Sequence, residues 1–346
     1  MTNLLLEWAI KTIVILLILV TAVAYLTYLE RKVMGWIQLR KGPNRVGPWG
    51  LLQPAADGLK MIFKEDIIPL EANRWVYVFA PALSLVPALM TFIVIPYGSE
   101  INLFGQTVQL HVTRMNVGLL YILALTSVGV YGIVLAGWSS NNKYSLMGGL
   151  RSSAQMISYE LALGLSIVSV LLYTGTLDLV EIVEKQSYWP NHPDWGGHMA
   201  WNIFQFPWFI VVFIIFYIAS LAETNRTPFD LPEADSELVA GYHTEYSSMK
   251  FVMFQMAEYL NLITSASIAT TLFLGGWNGP FVGSLPILGP VYFAVKVLAL
   301  IFTAMWIRYT VPRFRYDQLM RFGWTVLLPA SIVNIIIVST VLLFTR

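Results

Sequence analysis

The chain has 346 residues, of which 57% are hydrophobic and only 12% are charged, and its formal net charge is +1. With a mean hydropathy of +0.65, this composition excludes an ordinary soluble domain and is typical of a polytopic membrane protein. The near-neutral charge gives no basis for nucleic-acid binding. There is no cysteine, and the histidines lack metal-ligand spacing. We therefore expect no metal site, iron–sulfur cluster or disulfide in this chain.

Eight apolar segments are candidates for membrane helices, each of which needs about 20 residues to cross a bilayer. They lie near 8–29, 75–96, 116–138, 157–175, 207–222, 250–274, 288–309 and 322–344. The fifth is short and the second contains Pro81 and Pro87, so either is expected to be tilted, kinked or packed against neighbours. The predicted fold is an all-α polytopic membrane helix bundle of about eight transmembrane helices, in a single membrane domain over residues 1–346.

Lysine and arginine are concentrated in alternate loops, and such loops usually face the cytoplasm. Residues 30–74 and 310–321 are the main basic loops, and Lys143 and Arg151 follow the third segment. This pattern predicts cytoplasmic loops at these places and both termini on the opposite side. The acidic loop, 223–249, is predicted on the cytoplasmic side as well.

Residues 51–64 are predicted to form an amphipathic helix. Apolar side chains recur on one face and charged side chains on the other: Leu52, Ala55, Leu59 and Ile62 against Asp57, Lys60 and Lys64. Pro54 suits the first turn of such a helix. We predict an interfacial helix lying along the membrane; a cytoplasmic helix that covers the ends of the bundle is the alternative.

The stretch from Ala222 to Tyr246 concentrates acidic residues beside an apolar segment, with Arg226 as its only Lys or Arg. Its carboxylates are Glu223, Asp230, Glu233, Asp235, Glu237 and Glu245. Because cytoplasmic membrane loops usually favour basic residues, this pattern indicates protonation chemistry, handling of a polar ligand, or a partner surface.

Glu258 lies within the sixth apolar segment, and Gln255, Asn261 and Ser265 share its helical face. A charged side chain at the bilayer centre costs about 2.5–3.5 kcal/mol on insertion scales, so this polar stripe must face protein or water. We interpret Glu258 as a proton-handling group; the alternative is a neutral glutamate that hydrogen-bonds a neighbouring helix.

Four further ionisable residues border or enter apolar segments, and together they suggest a buried polar track: Glu30, Glu160, Glu223 and Lys296. Each has a simpler explanation. Glu30 and Glu223 would be interfacial anchors, and Glu160 would be a carboxylate at a helix N-terminus. Lys296 would then be the counter-ion of Glu160.

Long sequence stretches identify a family. They are ERKVMGWIQLRKGPNRVGPWGLLQPAADGLK from Glu30, SSNNKYSLMGGLRSSAQMISYEL from Ser139, AETNRTPFDLPEADSELVAGYHTEY from Ala222 and WIRYTVPRFRYDQLM from Trp306. The chain closely resembles the family of the H subunit of bacterial respiratory complex I, NADH:quinone oxidoreductase, the counterpart of mitochondrial NADH dehydrogenase subunit 1. The similarity covers nearly the whole chain.

The resemblance implies a membrane component of the bacterial cell inner membrane whose cavity admits quinone toward an iron–sulfur cluster on a neighbour. This chain would bind no cofactor itself: quinone is the substrate, and flavin and iron–sulfur clusters belong to partner subunits. The implied partners are the terminal-cluster subunit, the quinone-site soluble subunit, small or antiporter-like membrane subunits and membrane lipid.

The motif match also implies roles for individual residues. The region of the quinone entrance and chamber would contain Glu30, Arg31, Arg40, Asp57 and Lys60. The proton path toward the antiporter-like subunits would contain Glu160, Glu223, Asp230, Glu233, Asp235, Glu237 and Glu258. His243 is not assigned to either site.

Other interpretations remain open at the level of sequence. The nearest is the membrane anchor of a related hydrogenase or formate hydrogenlyase complex, which uses a homologous protein. A stand-alone transporter is disfavoured because no internal repeat is visible. A purely structural anchor, whose carboxylates only satisfy one another, is the third.

Overall fold

A computed structural model describes residues 2–103, 106–186, 201–230, 240–282 and 285–345. Its main helices, numbered in chain order, confirm the all-α prediction. They are α1 (Thr2–Ile37), α2 (Gln53–Phe63), α3 (Arg74–Met90), α4 (Gly118–Ser139), α5 (Lys143–Thr174), α6 (Leu179–Lys185), α7 (Asn202–Gln205), α8 (Phe209–Glu223), α9 (Ser248–Phe273), α10 (Leu288–Thr310), α11 (Tyr316–Phe322) and α12 (Leu328–Thr345). A π-helical turn, Gly323–Leu327, joins α11 to α12.

Each predicted apolar segment contains a helix. Within the described ranges, 6 helices are long and apolar enough to cross a membrane: Glu7–Ile37, Arg74–Ile93, Gly118–Ser139, Lys143–Thr174, Leu288–Thr310 and Tyr316–Phe344. The remaining two segments correspond to α8, which is apolar but has 15 residues, and to α9, which has 26 residues and carries the polar stripe around Glu258.

Two helices extend past their apolar segments into polar sequence. α5 begins at Lys143, so Glu160 lies in the middle of that helix, and its interpretation as a helix N-terminal carboxylate was wrong. This N-terminal part of α5 packs closely, since a Cβ added at Gly148 would lie 2.7 Å from the backbone of Gly241. Similarly, α1 continues to Ile37, which places Glu30 inside the helix. A hydropathy pattern detects only the apolar part of such helices.

The sequence did not predict a small antiparallel hairpin between α3 and α4. Strands β1 (Glu100–Leu103) and β2 (Gln106–Gln109) pair with Glu100 opposite Gln109 and Leu103 opposite Gln106. The hairpin has too few strands to bury a core of its own. It does not alter the helical architecture.

Close packing organises the bundle around α5 and α9. A Cβ at Gly132 of α4 would lie 2.1 Å from the hydroxyl oxygen of Ser84 in α3, so only glycine allows this approach. Helix α5 packs against α4, α8 and α12, whereas α9 contacts α1, α2, α3, α8 and α10. The residues of its polar stripe, Gln255, Glu258, Asn261 and Ser265, are half-buried, whereas most other residues of α9 are buried.

Helix α2 confirms the amphipathic prediction, with Pro54 in its first turn. The apolar residues Leu59 and Ile62 are exposed, whereas the carboxylate of Asp57 contacts α1. An exposed apolar face is consistent with a helix that lies along a membrane, and that location stays a prediction.

Two hydrogen bonds and an ion pair connect the end of α2 and the chain after it to the start of α9. The hydroxyl group of Ser248 donates to the carbonyl of Met61 at 2.9 Å, and the ammonium group of Lys250 lies 2.8 Å from the Asp66 carboxylate. The backbone N–H of Ile67 donates to the hydroxyl oxygen of Ser247 at 3.0 Å. These contacts join the end of α2 and the chain after it to the first turn of α9.

Candidate functional site: a buried cluster of carboxylates and arginines

The Glu30 carboxylate is the centre of a buried charged cluster. Arg226, from the segment after α8, approaches Glu30 Oε1 with Nη1 at 3.2 Å. The guanidinium of Arg308 and the hydroxyl of Tyr259 also donate to Glu30, and the hydroxyl of Tyr309 lies 3.3 Å from it. The side chains of α1, α9 and α10 therefore meet at a single carboxylate.

Arg226 contributes the deepest positive charge. Its side chain is buried, and the guanidinium lies 4.1 Å from the centre of the Tyr259 ring, a cation–π arrangement. Burial disfavours its charge, but Glu30, Tyr259 and Glu258 together outweigh that effect and raise the pKa of Arg226 above its ordinary value. Its Nε and Nη2 atoms have no hydrogen-bond partner within the described ranges.

A cavity of about 210 Å³ lies beside this cluster. Its walls include Glu30, Arg226 and Arg308 as well as Gln255 and Glu258 of the polar stripe. Two of the predicted carboxylates, Glu30 and Glu258, thus line the same polar cavity. Such a volume holds several water molecules, each of which occupies about 30 Å³ in the liquid.

Glu258 also contacts the acidic loop. The hydroxyl group of Tyr242 donates to Glu258 Oε1 at 2.9 Å. Tyr242 and His243 belong to a short 3₁₀ turn, Gly241–His243, and both are buried. This hydrogen bond gives the loop a direct contact with the polar stripe of α9.

The beginning of the acidic loop is held by α5 and by the segment after α10. Gln155 donates through Nε2 to the carbonyls of Ala222 at 2.8 Å and Phe229 at 2.7 Å. Asp230 is buried, and its Oδ2 lies 3.6 Å from Nη2 of Arg313. The predicted residues Glu233, Asp235 and Glu237 lie outside the described ranges.

Glu160 and Glu223 form a second pair of carboxyls. The hydroxyl group of Ser127 in α4 donates to Glu160, and Glu223 is the last residue of α8. The two carboxyls belong to helices that pack against each other.

Lys296 does not belong to this track, and its interpretation as the counter-ion of Glu160 was wrong. Its ammonium group donates to the carbonyls of Leu274 at 2.7 Å, Gly276 at 2.9 Å and Asn278 at 2.6 Å. These carbonyls lie at and just beyond the C-terminus of α9, where backbone acceptors lack helical partners and favour a cation. Sequence spacing does not reveal such a contact.

The residues predicted for the quinone region occupy the outer side of the cluster. Arg31 forms an ion pair with Asp57 of α2, with 2.6 Å between Nη1 and Oδ2, and it also lines the buried cavity. Arg40 donates through Nε to the side chain of Gln38 at 2.7 Å. Lys60 is exposed on α2 and lines neither this cavity nor the basic one described next.

A second cavity of about 630 Å³ adjoins the first, and Arg31 lines both. Its other cationic wall residues are Arg40, Lys41 and Arg45. We call it the basic cavity. The structure therefore joins Glu30, Arg31, Asp57 and Glu258 in a contiguous region, with Arg40 at its outer edge.

Sequence reasoning missed Arg226, Arg308, Tyr259 and Tyr309 as members of the site. Arg226 was visible as the only Lys or Arg of the acidic stretch, and Arg308 lies within an apolar segment. Both positions are unusual enough to have signalled a buried ion pair. The tyrosines give no comparable signal, because aromatic residues are common in membrane helices.

The fold and the site define a polytopic helical membrane protein that keeps ionisable groups at a polar cavity within its bundle. The family model described as NADH dehydrogenase matches residues 10–339. The chain belongs to this family, which confirms the resemblance found in its sequence.

Several relatives are similar over most of their length, and each is an H subunit of NADH-quinone oxidoreductase. The first of two such proteins in Geobacter sulfurreducens is 54% identical, covering 96% of this chain and 93% of the relative. The protein numbered 2 in Koribacter versatilis is 53% identical, covering 95% of each chain. The protein from Protochlamydia amoebophila is 53% identical, covering 92% of each chain.

Proposed function

We propose that this chain is the H subunit of a proton-translocating NADH:quinone oxidoreductase in the bacterial cell inner membrane. It forms the quinone entrance and chamber with partner subunits and couples quinone reduction to proton transfer through its carboxylates. The observation that carries this proposal is the position of Glu30 and Glu258 on one polar cavity whose wall residue Arg31 reaches the amphipathic helix α2.

Quinone reduction consumes two electrons and two protons. The electrons come from iron–sulfur clusters and flavin on partner subunits, since this chain has no cysteine. The terminal-cluster subunit and the quinone-site soluble subunit complete the chamber. This chain supplies the membrane wall of the chamber, around Glu30, Arg31, Arg40, Asp57 and Lys60.

Coupling begins with the charge of the reduced quinone. A negative charge that forms near Arg31 changes the electrostatic potential at Glu30 and its arginine partners, and raises the proton affinity of nearby carboxylates. Glu258 shares the cavity and takes part in this response. Protons then pass toward the small or antiporter-like membrane subunits.

Further carboxylates extend the path away from the cavity. Glu160 in α5 and Glu223 at the end of α8 lie on helices that pack against each other, and they continue the proposed path. Asp230 with the acidic-loop residues Glu233, Asp235 and Glu237 completes the proposed set. The proposed path is a group of neighbouring carboxylates rather than one continuous chain of hydrogen bonds.

The test uses the intact complex, purified through a tag on this chain from its native membrane in mild detergent. Mass spectrometry identifies the partners, and NADH:quinone reductase activity is measured with and without a quinone-site inhibitor. We expect flavin and iron–sulfur subunits and inhibitor-sensitive turnover. Nickel–iron hydrogenase partners would instead establish the related anchor function, and a chain isolated without partners would refute both.

A further inference from the structure

Lys296 caps the end of α9 that lies opposite to the polar stripe, and among the described residues no carboxylate pairs with it. Its ammonium group donates to three backbone carbonyls, at 2.7 Å to Leu274, 2.9 Å to Gly276 and 2.6 Å to Asn278. An ammonium group has three donors, so all of them are used. The charge of Lys296 is therefore held by backbone oxygens and not by an acid.

The chain around these carbonyls is held in place by its own contacts. Gln186 is buried, and its side-chain oxygen accepts a hydrogen bond from the backbone N–H of Gly275 at 3.0 Å. Asn278 donates through its side chain to the carbonyl of Val183 at 2.9 Å. The ring of Trp201 has its centre 4.3 Å from the ammonium nitrogen, a cation–π arrangement. The three carbonyl oxygens and this ring together form a site for a cation, which we call the carbonyl cage.

Helix α9 changes character between the polar stripe and the carbonyl cage. The stripe ends at Ser265, and residues 266–273 are all buried. The hydroxyl groups of this stretch donate to carbonyls of α9 itself: Ser267, Thr270 and Thr271. Phe273 lies about 22 Å along the helix from Glu258, since a helix rises about 1.5 Å per residue. The cage therefore lies beyond a closely packed segment that offers water few hydrogen-bond partners.

We propose that Lys296 is a tethered cation that prevents protons and other small cations from crossing the membrane at this end of the bundle. Backbone carbonyls that surround one point replace the hydration shell of a cation, as they do in the selectivity filters of channels. The ammonium group occupies that point permanently, and its charge repels a second cation. The C-terminal end of a helix carries only about half an elementary negative charge, so a net positive charge remains at the cage.

A purely mechanical cap is the competing explanation, because the last carbonyls of a helix need hydrogen-bond donors. Neutral side chains meet this need at the same helix end. Asn202 donates to the carbonyl of Leu272 at 2.7 Å, and Gln186 donates to that of Thr271 at 2.7 Å. A charged side chain within a helix bundle costs more than an amide, so its use here favours a role for the charge itself. The inference goes beyond the proposed function, since it concerns the seal of the membrane and not quinone or the carboxylates.

The experiment uses the intact purified complex in proteoliposomes that contain a pH-sensitive dye. A proton gradient is imposed, with valinomycin and potassium ions to remove the membrane potential, and its decay is measured without NADH or quinone. Lys296→Gln keeps two donors and loses the charge. We expect its gradient to decay roughly tenfold faster than that of the parent, or faster still, because repulsion between two unit charges about 4 Å apart changes a population by at least that factor inside a protein.

Two variants serve as controls for this measurement. Lys296→Arg keeps the charge and should retain the gradient as the parent does. The matched control is Lys185→Gln, which removes an exposed cation that pairs with Glu181 in α6. Its gradient should also decay at the parental rate, because Lys185 does not belong to the carbonyl cage.

A further variant tests the charge within one and the same folded protein. Lys296→His carries a positive charge at about pH 5.5 and is neutral at about pH 8, since histidine ordinarily titrates near pH 6.5. Compared with the parent at the same pH, its gradient should decay equally slowly at the lower pH and roughly tenfold faster at the higher pH.

Three results would overturn the proposal. A Lys296→Gln complex that holds the gradient as the parent does would establish a mechanical cap, and so would equal leaks in Lys296→Gln and Lys296→Arg. A leak in Lys296→His that does not depend on pH would exclude the charge as its cause. None of these readouts measures quinone turnover, so they separate this inference from the proposed function.

Discussion

Replacing Glu30 by glutamine removes the carboxylate that holds two arginines together. At 3.2 Å from Arg226, and at an effective dielectric constant of 20, the Coulomb attraction of this pair alone is about 5 kcal/mol before desolvation is counted. Breaking a buried ion pair typically costs about 3–5 kcal/mol, because the remaining charge keeps no partner. Arg308 adds to the effect, since it and Arg226 then repel each other.

We therefore expect Glu30→Gln to destabilise the site by at least about 3 kcal/mol, a factor of roughly two orders of magnitude in an equilibrium constant. The assay is the thermal inactivation of inhibitor-sensitive quinone reductase in the purified complex, with the assembled fraction measured in parallel. The variant should assemble poorly or lose activity much faster than the parent.

A second variant tests whether the loss of stability comes from the unpaired charge of Arg226. Glu30→Gln combined with Arg226→Met removes both charges of the most deeply buried pair, and replacing such a pair by uncharged side chains is often close to neutral. The double variant should recover at least half of the lost stability. If Glu30→Gln alone assembles normally and is inactivated at the parental rate, the cluster is not held by its ion pairs and this reasoning fails.

The other predictions concern separate contacts. Glu258→Gln should lower quinone reductase and proton pumping together, whereas Tyr242→Phe, which removes one hydrogen bond worth about 1 kcal/mol, should reduce pumping only severalfold. Asp57→Ala should release Arg31 and change the apparent KM for quinone in steady-state assays. Lys296→Met should leave buried carbonyls without a donor and destabilise the protein by about 1–3 kcal/mol, measured as a lower inactivation temperature of the complex.

Controls for these variants lie on the same chain. Arg315→Gln, on an exposed basic segment, should leave turnover and pumping unchanged. Normal pumping in a fully assembled Glu258→Gln complex would remove Glu258 from the proton path. An unchanged KM in Asp57→Ala would place the quinone away from α2, and parental thermal stability in Lys296→Met would show that water replaces the ammonium group.

The sequence predicted the helices better than it predicted their ends and partners. Apolar runs identified every long helix, because burial in lipid requires them. The polar start of α5 was missed, since its small residues serve helix contacts that hydropathy does not measure. Lys296 was assigned to the wrong partner because backbone carbonyls at the end of α9 leave no mark in the sequence.

Parts of the candidate site were predictable for a similar reason. Ionisable residues inside apolar segments are costly and so stand out, which is how Glu30 and Glu258 were found. Their meeting on one cavity depends on how α1, α9 and α10 cross, and this geometry is set by side-chain packing across the bundle. Arg226 was seen only as part of an acidic loop because its contact with Glu30 spans most of the chain.

The contacts between the chain after α2 and the start of α9 couple the position of α2 to the position of α9. A helix rises about 1.5 Å per residue, so Ser248 and Glu258 are about 15 Å apart along a single stiff rod. A displacement of α2 at the membrane surface would tilt or shift this rod and carry Glu258 with it. A displacement of α2 would then alter the distance between Glu258 and Tyr242, and no proton would have to move between α2 and Glu258.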